Sequence, residues 1–161
     1  MNATHVHLLF NHLPIIGSVI GGLILIYALL VKSAKTITAA YAVLALSAFG
    51  GVVTYFTGEG AEEIVENISG ISKAALEQHE SFAFFAFIGI TLVGLTSLVG
   101  LFLQYKKSSL ESTVAWVTFF ASVVAFSLLA GAGYTGGQIR HTELSQTSAG
   151  NSQEADDDDD D

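Results

Sequence analysis

Cysteine is absent from the 161 residues and proline occurs once. Without thiolates there is no disulfide framework, no iron–sulfur cluster, no c-type haem attachment and no cysteine nucleophile. Any metal ligands must come from histidine, carboxylate or the single methionine. Charge is also scarce, since 13% of the residues are Asp, Glu, Lys or Arg while 51% are hydrophobic. That balance is too apolar for a water-soluble domain of this size, and the excess must face lipid. With six basic residues in all, no patch can neutralise a row of phosphates, which excludes a nucleic-acid partner. The formal charge of -9 comes largely from the aspartates at 156–161; setting them aside leaves nine Glu against six Lys and Arg. Neither GxxxxGK nor GxGxxG stands between a strand and a helix, and no Ser, His and Asp arrangement suggests hydrolysis.

What the chain does have is four charge-free runs, at 13–31, 37–56, 82–103 and 114–134. Each is about the 20 residues that a helix needs to cross a hydrocarbon core. Unpaired backbone amides are prohibitive in lipid, so all four are expected to be helices. The fold class that follows is all-α: an integral membrane antiparallel four-helix bundle, its four-span domain covering 1–143. Met1 and the polar residues after it lack a basic segment, so the first span is expected to stay in the mature protein. Lys32 and Lys35 lie in one short loop and Lys106 and Lys107 in the other. The positive-inside rule makes both loops cytoplasmic and both termini extracytoplasmic.

The longer loop between spans two and three is more than a linker. Ile64, Ile68, Ile71 and Ala75 recur at helical spacing, with Glu59, Glu62, Glu63 and Glu66 crowding the preceding turn. This predicts an extracytoplasmic interfacial helix, interrupted at Gly70, with Ser72 as the N-cap of a second piece running through His79 into span three. Residues 144–161 lose apolar periodicity and end in like charge, the signature of a disordered acidic tail. Glycines 17, 21 and 22, 50 and 51, 89 and 94, and 131 and 133 fall inside the spans, where small residues let helix backbones approach.

All five histidines, His5, His7, His12, His79 and His141, fall on the outer side of this topology. His12 precedes the first span, His79 precedes the third and His141 follows the fourth, so three helices bring imidazoles to one membrane face. These three are the expected cofactor-binding residues. Seven residues apart, His5 and His12 share one side of a helix, while His7 turns away and is expected not to be a ligand. Spacings of three and four place Glu59, Glu63 and Glu66 on one stripe, and carboxylates near imidazoles suit a divalent cation. The expected metal set is therefore His5, His12, Glu59, Glu63, Glu66, His79 and His141.

The strings NHLPIIG near the start, TGEGAEE after span two, HE before span three and GGQIRH after span four give the chain a likeness. It resembles a family of small four-helix bacterial membrane proteins that carry a domain of unknown function, over roughly residues 5 to 143. The matching positions are His12, Pro14, Thr57, Gly58, His79, Gly136, Gly137 and His141. The resemblance implies a polytopic fold with an outer-face site and supplies no activity.

Three functions remain open. One is a membrane protein holding copper, zinc or iron through imidazoles and carboxylates, as part of a redox or respiratory system. Another is a b-type haem electron-transfer protein with two of His12, His79 and His141 as axial ligands. The third is a non-catalytic accessory subunit packed against a larger complex. Expected partners are the lipid bilayer, other membrane or periplasmic redox proteins, and a second copy in a homo-oligomer.

Overall fold

The computed structural model describes residues 3–66 and 72–140, with the side chains of 3, 4, 59, 61–66 and 140 left out. All of the regular structure among these residues is helical: α1 (Ala3–Phe10), α2 (His12–Leu30), α3 (Ala34–Glu66), α4 (Lys73–Tyr105) and α5 (Glu111–Arg140). Asn11 joins α1 to α2 with a near-helical backbone, φ -61 and ψ -26, so the two act as one rod. Pro14, in the first turn of α2, has no amide to give the Phe10 carbonyl, which accounts for the division of the rod into α1 and α2 at Asn11. Four rods are long and apolar enough to cross a membrane. Packing closes them into a ring: α2 lies on α3, α3 on α4, α4 on α5 and α5 on α2, with α1 laid against α3.

Both short connections use the same stop. Lys32 and Lys107 adopt left-handed backbones, φ 54 and φ 52, a conformation that usually calls for glycine. After each, the Ser amide reaches back to the helix, Ser33 to the Ala28 carbonyl and Ser108 to the Leu103 carbonyl, both at 3.0 Å. Orphan carbonyls at the helix end are thereby satisfied. The hydroxyl of Ser33 then accepts from the Thr36 amide at 3.4 Å to open α3, and that of Ser108 accepts from the Leu110 amide at 3.3 Å. These connections define the lysine end of the bundle. The opposite end, where α1 and α4 begin and α3 and α5 finish, is the histidine end.

Inside the ring the residues are small or hydroxyl-bearing. Ser18, Ser47, Ser97, Thr118 and Ser122 are buried beside Leu25, Tyr41, Leu44, Ile90 and Val93. Several hydroxyls donate to their own helix, as Thr118 does to Val114 at 2.9 Å and Ser122 to Phe119 at 2.7 Å. Ser47 instead donates across to the Pro14 carbonyl at 3.0 Å, tying α3 to α2. Large apolar side chains point outward, including Leu30 at 70% and Leu23 at 63% exposure. Such an inverted distribution suits lipid, where helices associate by close packing rather than by burying oil from water.

At 33 residues, α4 is about 50 Å long, against roughly 30 Å of hydrocarbon. Lys73, Glu77 and Glu80 occupy its first turns, and the charge-free 82–103 is by itself long enough to cross, so that α4 has length to spare at 73–81. Ser72 caps α4 as expected, its hydroxyl accepting from the Ala75 amide at 3.4 Å. The connection at the histidine end is helical in both described parts, and these parts are extensions of the spans: α3 runs unbroken through Gly58 and Gly60 to Glu66. Residues 67–71, and with them Ile68, Gly70 and Ile71, lie outside the described residues, as does the acidic tail.

Candidate functional site

The site is built at the histidine end from two imidazoles. His7 projects from α1 onto α3, and His79 projects from α4 onto α5. Each ring is half-buried. The His7 Nδ1–H donates to the Thr54 carbonyl at 2.9 Å. The His79 Nδ1–H donates to the Ala132 carbonyl at 3.0 Å and more weakly to Thr135 Oγ1 at 3.3 Å. A carbonyl oxygen has no hydrogen, so in both contacts the ring nitrogen must be the donor. In the neutral ring the proton is then on Nδ1, and Nε2 keeps its lone pair. This is the arrangement in which a histidine becomes a metal ligand, its second nitrogen anchored and its basicity raised.

Helix carbonyls are normally screened by the side chain one turn ahead. Here that position is glycine in both cases. Gly58 follows Thr54 by four residues, and a Cβ placed there would lie 3.5 Å from His7 Cε1; at Gly136, four after Ala132, it would lie 3.0 Å from His79 Cε1. The glycines open a seat for each ring. Threonine one residue earlier completes it: Thr57 donates to Val53 at 2.8 Å and Thr54 at 3.2 Å, and Thr135 donates to Gly131 at 3.0 Å and Ala132 at 3.2 Å.

Electrostatically the two rings sense each other. Burial pushes the His79 imidazole below its ordinary value; the hydrogen bond to Ala132 opposes this, His7 adds to it through like charge, and Glu80 opposes it. Desolvation, the largest of these influences, therefore favours neutral His79, the form that can coordinate, against the pull of the Ala132 bond and Glu80.

Among the histidines expected to bind, His79 is placed inward by a continuous helix. His12 begins α2 and is exposed, and His5 is also exposed. These two share a side, as their seven-residue spacing requires, but it is the outward one. His7, expected to turn away from any ligand position, is the ring that faces the bundle. The relative phase of the three residues is the one that the spacing predicts, and the His7 side is the one turned inward. Glu59, Glu63 and Glu66 belong to the last turns of α3, with side chains beyond the description, and His141 lies outside the described residues. Among the described residues no group of three or more histidines and carboxylates is placed to hold one ion. What residue spacing missed was His7; the signal was the recurrence of aromatic-Thr-Gly at 56–58 and 134–136.

No protein-family model, no curated protein and no solved structure matches the chain, so the likeness to small four-helix membrane proteins rests on its short motifs, and the role must be argued from the geometry.

Proposed function

We propose that the protein is an integral membrane cofactor carrier that holds a divalent transition metal, copper, zinc or iron, at the extracytoplasmic end of its bundle within a redox system. The observation that carries this reading is the His79 ring: anchored through Nδ1 to Ala132, seated against Gly136 and left with a bare Nε2. A histidine serving only as an interfacial polar group has no need of a glycine-cleared seat or a fixed tautomer. Lysines at the opposite end support the outward placement, since Lys32, Lys35, Lys106 and Lys107 all flank the short loops.

A second reading, b-type haem, is favoured by one fact. His7 and His79 lie within electrostatic reach of each other, no larger group of ligands is gathered among the described residues, and haem iron asks the protein for no more than two axial nitrogens. An absorption spectrum and elemental analysis of the purified chain separate the readings. Stoichiometric metal without a Soret band supports the bare ion, and a Soret band supports haem. A chain with neither, after expression with metals and haem precursor supplied, overturns the cofactor proposal in favour of an accessory subunit.

A further inference from the structure

The two imidazole seats agree in more than type. His79 follows His7 by 72 residues, and at that same shift Phe10 is matched by Phe82, Gly17 by Gly89, Gly22 by Gly94 and Leu23 by Leu95. Burial repeats in the same register. Every buried position of α2 from Pro14 to Ala28 except Gly17 has a buried counterpart 72 residues on, from Ala86 to Gly100 in α4. Helical periodicity alone fixes such a shift only to within whole turns, whereas the histidine selects the register independently.

The partner helices repeat likewise at a shift of 78. Thr57-Gly58 becomes Thr135-Gly136, and buried Ala40, Leu44 and Ser47 become buried Thr118, Ser122 and Ala125. The hydrogen bonds copy one another in detail: imidazole to a carbonyl, threonine three residues on to that carbonyl and the one before it, glycine next. At the other end the left-handed Lys followed by Ser occurs in both hairpins. In the closed ring, α1–α2 pairs with α3 as α4 pairs with α5. Exchanging the hairpins by a two-fold rotation along the bundle reproduces this pairing, and both histidines stand at the same end.

We infer that the bundle is an internal duplication of one helical hairpin, and that its two equivalent imidazoles, His7 and His79, supply through Nε2 the two protein nitrogens of one transition-metal centre shared between the halves. The inference rests on the cofactor reading above and adds its symmetry and its second ligand. The chemistry named is a metal that accepts two neutral imidazoles; the source is either a bare ion or the iron of a porphyrin, and the experiment has an arm for each.

The full chain, purified in detergent, is titrated with Cu²⁺ and separately with ferric haem. Wild type, His7→Ala, His79→Ala and His12→Ala are compared. The expected result is one equivalent of one of the two probes, with affinity falling by at least about tenfold in both His7→Ala and His79→Ala and holding in His12→Ala. Electron paramagnetic resonance of the wild type gives a readout independent of variant folding: coupling to two equivalent nitrogens for copper, or a low-spin bis-imidazole signal for haem. Binding that ignores His7, depends on His12, or shows one or three nitrogens overturns the shared centre while leaving an outer-face cofactor site standing. A wild type that takes up neither probe removes both proposals together.

Discussion

A weakened hold on the second proton is the chemical property that distinguishes His79 from a surface histidine. Burial holds its ring below the ordinary value of 6.5, with His7 reinforcing the effect and Glu80 and the Ala132 bond opposing it. Ring ¹⁵N shifts followed against pH should therefore show His79 protonating at lower pH than a histidine in a short peptide. Because the folded value is depressed, the unfolded chain takes up a proton first as pH falls below 6.5. Stability should then decline from that point until the folded ring also protonates, then level off. Unfolding in mixed micelles at pH 7.5 and pH 5.5 measures it, and a His79→Gln variant should lose part of this dependence. An unchanged or greater stability at pH 5.5 would contradict the assignment. Which histidine faces inward was only half legible in the sequence. Helical phase put His5 and His12 together and His7 opposite, and all three keep that relation; but phase has no origin until a neighbouring helix supplies one. The seat that draws His7 inward, the Thr54 carbonyl beside Gly58, lies 47 residues away.

Among the helices, glycine placement separates close packing from spare space. A Cβ at Gly94 would lie 2.5 Å from the Ala48 Cβ, a neighbour fixed to its backbone, while at Gly137 it would meet nothing within 4 Å. Gly94→Leu should thus force α3 and α4 apart and lower stability by about 1–3 kcal/mol. Gly137→Ala should change stability little or raise it slightly, by up to about 1 kcal/mol from helix propensity. Thermal unfolding followed by circular dichroism tests the pair; equal effects would mean that the helix contact is looser than described. Gly136→Val, acting at the seat, should displace the His79 ring and shift its ¹⁵N resonances without removing the helix. The spans were readable because the hydrocarbon core demands uncharged runs, and the Ser72 cap because a hydroxyl beside a free amide is a local event. Continuation of α3 to Glu66 was not, since the Ile64 and glutamate spacing is the same whether a helix restarts or carries on. The Thr-Gly pairs, which look like helix ends, sit within α3 and α5 because the glycines serve the imidazoles there.

Taken whole, the molecule has two unlike ends, one carrying histidines and one carrying lysines. Its orientation should be readable by labelling single cysteines with an impermeant reagent in intact cells. Cysteine at Ser33 or Ser108 should be protected and cysteine at Ser72 should react; the opposite pattern would invert the proposed topology and put the cofactor site in the cytoplasm. The ring order of the helices could not be read from charge-free runs alone, because four similar apolar rods can be arranged in several ways. The short lysine loops do dictate which neighbours are antiparallel. Those loops place two demands on the same residues. Lys32 and Lys107 hold left-handed backbones that glycine would occupy with about 1 kcal/mol less strain, yet in the proposed topology they are also half of the four loop cations that set which side stays inside. Replacing both with glycine should tighten the turns while blurring the vectorial decision made during biosynthesis, leaving a population inserted upside down. Local rigidity and correct delivery are thus in conflict at these two residues, and the chain keeps the strained turn.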